Sequence, residues 1–184
     1  KSDSKYSSFI FSSGLKFNKQ DIKIDLEGKN SDCEIKSALF LNKEDHQEIK
    51  TVVNHLVPNC KSFQKIKSVL DSNAKGVYQG KIFVKDIAQK TNAYQLSKAL
   101  LISENSEFDS KPELEIYADD VKCSHGSASG SLNEDSIFYL MSRGLNYQQS
   151  KELLINGFLL DVVEKITDPE IRNLVKNIIG LKEW

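Results

Sequence analysis

Ile22-Lys23-Ile24-Asp25-Leu26 alternates apolar and polar residues without a break. Successive side chains of an extended strand point to opposite faces, so Ile22, Ile24 and Leu26 share one face and Lys23 and Asp25 the other. Outward from this stretch the same signature returns at Ile82 and Val84, then at Leu114 and Ile116. Denser apolar bursts occupy Ser8-Phe9-Ile10-Phe11, Ile35 to Leu41, Thr51-Val52-Val53 and Phe63 to Leu70. All of these read as short strands. Their leading apolar residues, Phe9, Ile22, Ile35, Val52, Phe63, Val77, Tyr94 and Leu114, lie 11 to 20 residues apart. Many short strands with few Asn-Gly or Asp-Gly hairpin signals argue for a mainly β fold of the solenoid kind, in which polar linkers form corners between stacked strands. The uneven step and the lack of a hexapeptide repeat keep a β-sandwich as the structural rival.

From Leu132 onward the period becomes helical. Asn133 is placed as an N-cap, with Leu132 before it and Ile137 at the fourth helical position as a hydrophobic staple. Ile137, Leu140 and Met141 share a face, and Gly144 ends the helix. A second helix starts near Asn146, with Gln149 three residues on, and its face carries Leu154, Phe158, Val162 and Ile166. Asp168-Pro169 caps a third, whose stripe is Ile171, Leu174, Val175, Ile178 and Ile179 before Gly180. The chain therefore divides into a strand-rich core over residues 1–126 and a helical region over 127–184.

Composition narrows the function classes. The 184 residues carry 25 basic and 26 acidic side chains, a formal net charge of −1, which argues against binding nucleic acid through a broad basic surface. Lys16, Lys19 and Lys23 read as a solvated face. At 39% hydrophobic and 28% charged the chain has material for a core. No stretch approaches the roughly 20 apolar residues that span a bilayer. The start, Lys1-Ser2-Asp3-Ser4, has neither an initiator Met nor signal-peptide character and reads as the beginning of a fragment. Cys33, Cys60 and Cys123 are too few and too scattered for a disulfide framework, which favours a reducing, cytosolic compartment. Cys33 and Cys60 fall in expected strands as small buried hydrophobes. His46 and His55 flank Val52-Val53 and read as surface or corner residues. A Walker A loop, a Gly-x-Ser-x-Gly elbow and a His-Glu-x-x-His motif are all missing, so an autonomous enzyme is not expected.

The segment Lys111 to Gly126, KPELEIYADDVKCSHG, concentrates chemistry: two carboxylates, a thiol and an imidazole within seven residues. If Val121 to His125 is extended, Cys123 and His125 project from one face. Thiolate and imidazole both ligate iron and zinc, yet two ligands make half a tetrahedral site. On the residues alone two readings stand: a functional pair, or a small buried cysteine beside a hydrogen-bonded histidine at a chain crossing. Asp119 and Asp120 raise a third, a β-helix carbohydrate-active enzyme. Adjacent strand residues face opposite ways, and hydrolysis needs carboxylates roughly 5–9 Å apart across a cleft. In the helical region Tyr139 falls off the Ile137-Leu140-Met141 face with Arg143 four residues on, which suggests a second partner.

Lys111 to Leu145, KPELEIYADDVKCSHGSASGSLNEDSIFYLMSRGL, closely resembles the carboxy-terminal signature of the SufB/SufD family of iron–sulfur cluster assembly proteins, and its Cys-Ser-His-Gly motif is that of SufD-type members. ELLINGFLLDVVEKI, Glu152 to Ile166, is similar to the family's last long helix, whereas residues 1–110 match in character only. Ser127-Ala128-Ser129 departs slightly from the family's small-residue run, which includes a threonine. The resemblance implies a right-handed parallel β-helix followed by a small helical region, in a carboxy-terminal fragment lacking the family's amino-terminal helices. It implies a non-catalytic scaffold that pairs with a SufB-type subunit and binds a SufC-type ATPase through Phe138, Tyr139, Arg143, Gly144 and Phe158. It places Cys123 and His125 as partial metal ligands, shared with the SufB partner, for a transient iron–sulfur cluster. The resemblance further implies reduced flavin in the full complex and a compartment that is the bacterial cytoplasm or the plastid. As rivals stand the carbohydrate-active enzyme and an inert structural interaction module. Two geometric expectations follow: Cys123 and His125 lie on the outward side of the final strand, and the open first coil self-associates or is capped by a helix or loop.

Overall fold

The computed structural model of the protein describes residues 1–180. Nine strands come first: β1 (Lys5–Ser13), β2 (Phe17–Leu26), β3 (Asp32–Leu41), β4 (His46–His55), β5 (Lys61–Leu70), β6 (Lys75–Val84), β7 (Asn92–Leu101), β8 (Glu107–Ile116) and β9 (Lys122–Ser131). Odd strands form one sheet, A, in the order β1-β3-β5-β7-β9, and even strands a second, B, in the order β2-β4-β6-β8. Every pairing is parallel, which eliminates the sandwich and establishes the solenoid. The sheet A register runs Lys5, Asp32, Lys61, Asn92, Lys122, so each coil takes 27 to 31 residues and contributes one strand to each sheet.

The uneven step between apolar bursts has a simple origin. Several inner positions are polar, among them Gln47, Thr51, Ser62 and Gln64, so a strand starts well before its first conspicuous apolar residue. β8 begins at Glu107, yet its clean alternation is legible only from Leu114. The corners also stack. Asn30, Asn59 and Lys90 close equivalent turns with φ near +60°, a conformation Asn adopts more readily than most residues, and backbone bonds from Asn59 N to Gln89 O (3.0 Å) and Lys90 N to Asp120 O (2.6 Å) tie one corner to the next. Cys60 lies in such a corner, just before β5, rather than in a strand.

Three helices follow: α1 (Glu134–Ser142), α2 (Tyr147–Val163) and α3 (Pro169–Ile178). The boundary expected after Gly126 falls inside β9, which runs to Ser131. The caps are those expected. Asn133 accepts from Ser136 N, Asn146 and Gln149 form a reciprocal capping box, and Asp168 caps α3 ahead of Pro169. Gly144 sits at φ +97°, which ends α1 at little strain. α2 lies on the outer face of sheet A, where Leu159, Val162, Val163 and Ile166 bury against Ala38 and Val69 along with Phe11, Phe40 and Leu100. The buried stripe is thus rotated from the one expected, with Leu159 and Val163 replacing Leu154. On α3 only Val175 and Ile179 are buried, while Ile171, Leu174 and Ile178 are about half exposed, so the full stripe is not core.

One side-chain cluster clamps α2 to the solenoid. Lys67 Nζ donates to Phe158 O (2.6 Å), pairs with Asp161 Oδ1 (2.7 Å) and stands 4.5 Å over the Phe158 ring, and Lys65 pairs with the other Asp161 oxygen at 2.5 Å. On the first coil Phe9 and Phe11 pack against the helical region, whereas Tyr6 and Phe17 are exposed.

Candidate functional site

β9 has almost no strand propensity of its own, being Lys-Cys-Ser-His-Gly-Ser-Ala-Ser-Gly-Ser. It is templated by β7. The register pairs Ala93 with Cys123, Gln95 with His125 and Ser97 with Ser127. Ala93, Gln95 and Ser97 are the buried, inward residues of β7, and a parallel ladder keeps partners on the same side. Cys123 and His125 therefore share a face as expected, but it is the inner face rather than the outer one. Two contacts bear this out: Cys123 packs against Ile82, Val84, Ala88, Ala93 and Ala118, and Ser97 Oγ donates to Ser127 Oγ at 3.0 Å. Among the described residues no strand of sheet B follows β8 to close the coil over β9. The inner face at this end is consequently open, with His125 exposed and Cys123 half-buried.

Burial pushes the Cys123 thiol up, against the smaller effect of a backbone hydrogen bond at Ala93. The free chain thus presents a protonated thiol at neutral pH, not the activated thiolate that a neighbouring imidazolium would favour. An arriving metal would displace that proton. Among the described residues no group of three or more His, Cys, Asp or Glu side chains could hold a metal ion.

The other candidates separate clearly. Cys33 and Cys60 are free and buried, with burial pushing the Cys33 thiol up to about 11. His46 is a surface residue, 3.3 Å from Glu48 and edge-on to Phe17. His55 is not a corner residue: it is fully buried inside the solenoid, its Nε2 bonded to Ser62 Oγ at 2.9 Å, and burial drops it to about 4. Asp119 and Asp120 sit in the β8–β9 corner, where Asp120 N bonds to Gln89 Oε1 and Asp120 O receives Lys90 N. That is a corner contact, not a catalytic cleft. In the helical region Arg143 Nη2 donates to Tyr139 Oη (3.1 Å) and lies 5.2 Å over its ring, both exposed beside Phe138 at 74% exposure. Phe158 faces the solenoid under Lys67. The stripe of Ile171, Leu174 and Ile178 is legible in the sequence but its exposure is not, because an apolar stripe does not say how much of it is covered.

The family model for the core domain of SufBD proteins of the SUF iron–sulfur cluster assembly system matches residues 1–158. The iron–sulfur cluster assembly protein SufD of Escherichia coli (strain K12) is 36% identical over 155 residues, covering 84% of this chain and 37% of that protein. A chloroplastic protein of Arabidopsis thaliana is 33% identical over 178 residues, covering 95% of this chain and 37% of its own length. An iron–sulfur cluster assembly SufBD family protein of Synechocystis is 30% identical over 169 residues, covering 92% and 37% respectively. The chain thus spans a little over a third of the length of these relatives. The parallel solenoid, the trailing helices and a match over most of the chain agree, and the chain belongs to the SufBD family of iron–sulfur cluster assembly proteins.

Proposed function

We propose that this chain is part of a non-catalytic scaffold subunit of a SufBCD-type complex, pairing through the β9 end of its solenoid with a SufB-type subunit. The observation that carries this reading is the placement of Cys123 and His125: one thiol and one imidazole on the uncovered inner face of an edge strand, with no third ligand among the described residues. An edge strand with free backbone groups and an incomplete ligand set is suited to a partner that supplies both the next strand and the missing ligands. The iron and sulfide are cargo, held as a transient cluster across that junction. Reduced flavin would belong to the whole complex, and no residue of this chain is assigned to it.

The helical region is the surface we assign to a SufC-type ATPase. Phe138, Tyr139, Arg143 and the turn at Gly144 are supported by their exposure, whereas Phe158 supports the face from beneath, by fixing α2 to β5. No described helix is long and apolar enough to cross a membrane, and the relatives include bacterial and chloroplastic proteins, which suits a cytoplasmic or plastid setting. Iron and sulfide reconstitution with a SufB-type subunit tests the reading. Cluster formation should fall in both Cys123→Ala and His125→Ala, and normal assembly in both variants would remove the pair from the site.

A further inference from the structure

Beneath His125 lies a buried polar floor. Along the inner face of sheet A the register runs Ser8, Ile35, Gln64, Gln95, His125, with the last three positions before the open end all polar. Gln95 is 1% exposed and one strand spacing, about 4.8 Å, from His125. Its amide nitrogen donates to Gly80 O (3.2 Å) and Glu113 O (3.5 Å), so a side chain rooted in sheet A is tied to β6 and β8 of sheet B. Its Oε1 lies 3.4 Å from Tyr78 Oη, which also reaches Gln64 Oε1 (3.3 Å) and Thr51 Oγ1 (3.2 Å). With the phenol proton directed at the two amide oxygens, Thr51 is left to donate to Tyr78.

Space for this cluster exists only because residue 80 is glycine. A Cβ there would stand 2.3 Å from both Gln95 Oε1 and Tyr78 Oη. Apolar filling, as at Ile35 two coils earlier, would avoid the cost of desolvating an amide and a phenol. What the polar cluster provides instead is direction: hydrogen bonds fix the Gln95 amide in one orientation, where a packed leucine could change rotamer.

We propose that Gln95, locked by Tyr78 in the space Gly80 leaves, is a positioning residue that sets the ring orientation of His125. The proposal rests on Cys123 and His125 being the cluster ligands, and it adds the support such ligands need to be held in a productive geometry.

Two variants test it, with Ser97→Ala as control. Gln95→Leu removes the amide at similar volume, and Tyr78→Phe deletes one hydroxyl and so retains the fold even where Gln95→Leu does not. Ser97 is equally buried on the same face and bonds to Ser110 and Ser127 instead. The readouts are the imidazole proton resonances of His125 in the full chain, and iron and sulfide loading in the complex with a SufB-type subunit. Both variants should move the His125 signals and leave those of His46 in place. Loading in Gln95→Leu should fall about tenfold, with Ser97→Ala unchanged in both readouts. Unmoved His125 signals in the folded variants overturn the proposal, as does an equal shift in Ser97→Ala. Full loading in Gln95→Leu beside lost loading in His125→Ala overturns it too. If His125→Ala loads normally while Gln95→Leu still moves the His125 signals, positioning stands and the ligand reading falls.

Discussion

His55 makes the stability of this solenoid depend on pH. The ring is fully buried, its Nε2 bonded to Ser62, its Nδ1 without a partner among the described residues, and burial lowers it from 6.5 to about 4. The unfolded chain therefore takes up a proton on this residue at a higher pH than the folded chain does. Its contribution to stability is fully present above pH 6.5 and is lost as the pH falls toward 4. Each unit of difference is about 1.4 kcal/mol, so roughly 3 kcal/mol is at stake in all, of which about 2 kcal/mol goes between pH 7 and pH 5. Urea unfolding at the two pH values, on the wild type and on His55→Gln, isolates this from the carboxylates common to both. The variant keeps a hydrogen-bonding group for Ser62 and cannot titrate. It should lose about 2 kcal/mol less than the wild type on going from pH 7 to pH 5. Equal losses in the two proteins would refute the assignment of a buried neutral imidazole.

Asp161→Asn should cost about 1–2 kcal/mol in urea unfolding. That lies between an exposed pair and a buried one, because the Asp161 side chain is 45% exposed while that of Lys67 is 9% exposed. Burial lowers Lys67 despite Asp161, so adding Lys67→Met should recover part of the loss; a double variant worse than Asp161→Asn alone would contradict the clamp. Cys123→Ala, half-buried against Ile82 and Val84, should lower stability by about 1 kcal/mol, more than an exposed site gives, measured by thermal melting. Arg143→Glu should weaken binding of a SufC-type ATPase roughly tenfold by titration calorimetry with circular dichroism unchanged, and unaltered affinity removes the Tyr139–Arg143 face from the interface. The 1–184 chain, with Tyr6 and Phe17 exposed on its first coil, should self-associate in light scattering; a monodisperse monomer across concentrations rejects that.

How much of this was legible depends on where the alternation was apolar. β2 could be read from Ile22, Ile24 and Leu26 alone, and the helix starts from Asn133, Asn146 and Asp168, because these signals are local. β9 could not be read to its end. Its inner residues are Cys123, His125, Ser127, Ser129 and Ser131, which carry no apolar period, and it is a strand because β7 offers it a full row of backbone partners. The same fact explains the inverted site. Alternation shows that Cys123 and His125 share a face; only the register with Ala93 and Gln95 shows which one. His55 was misplaced for the related reason that a polar residue at a strand end looks like a corner, whereas its column neighbours Leu26 and Val84 mark the position as interior. The inner placement also alters the chemistry of the proposed site. Burial against Ala93 makes the Cys123 thiol harder to ionise than it would be on the outer, solvated face, so a metal arriving there must displace its proton. On the proposed reading, an exposed histidine beside a protected thiol, on an edge that another strand can complete, is an arrangement in which metal capture and partner docking would assist each other, since each would remove water from the same open face.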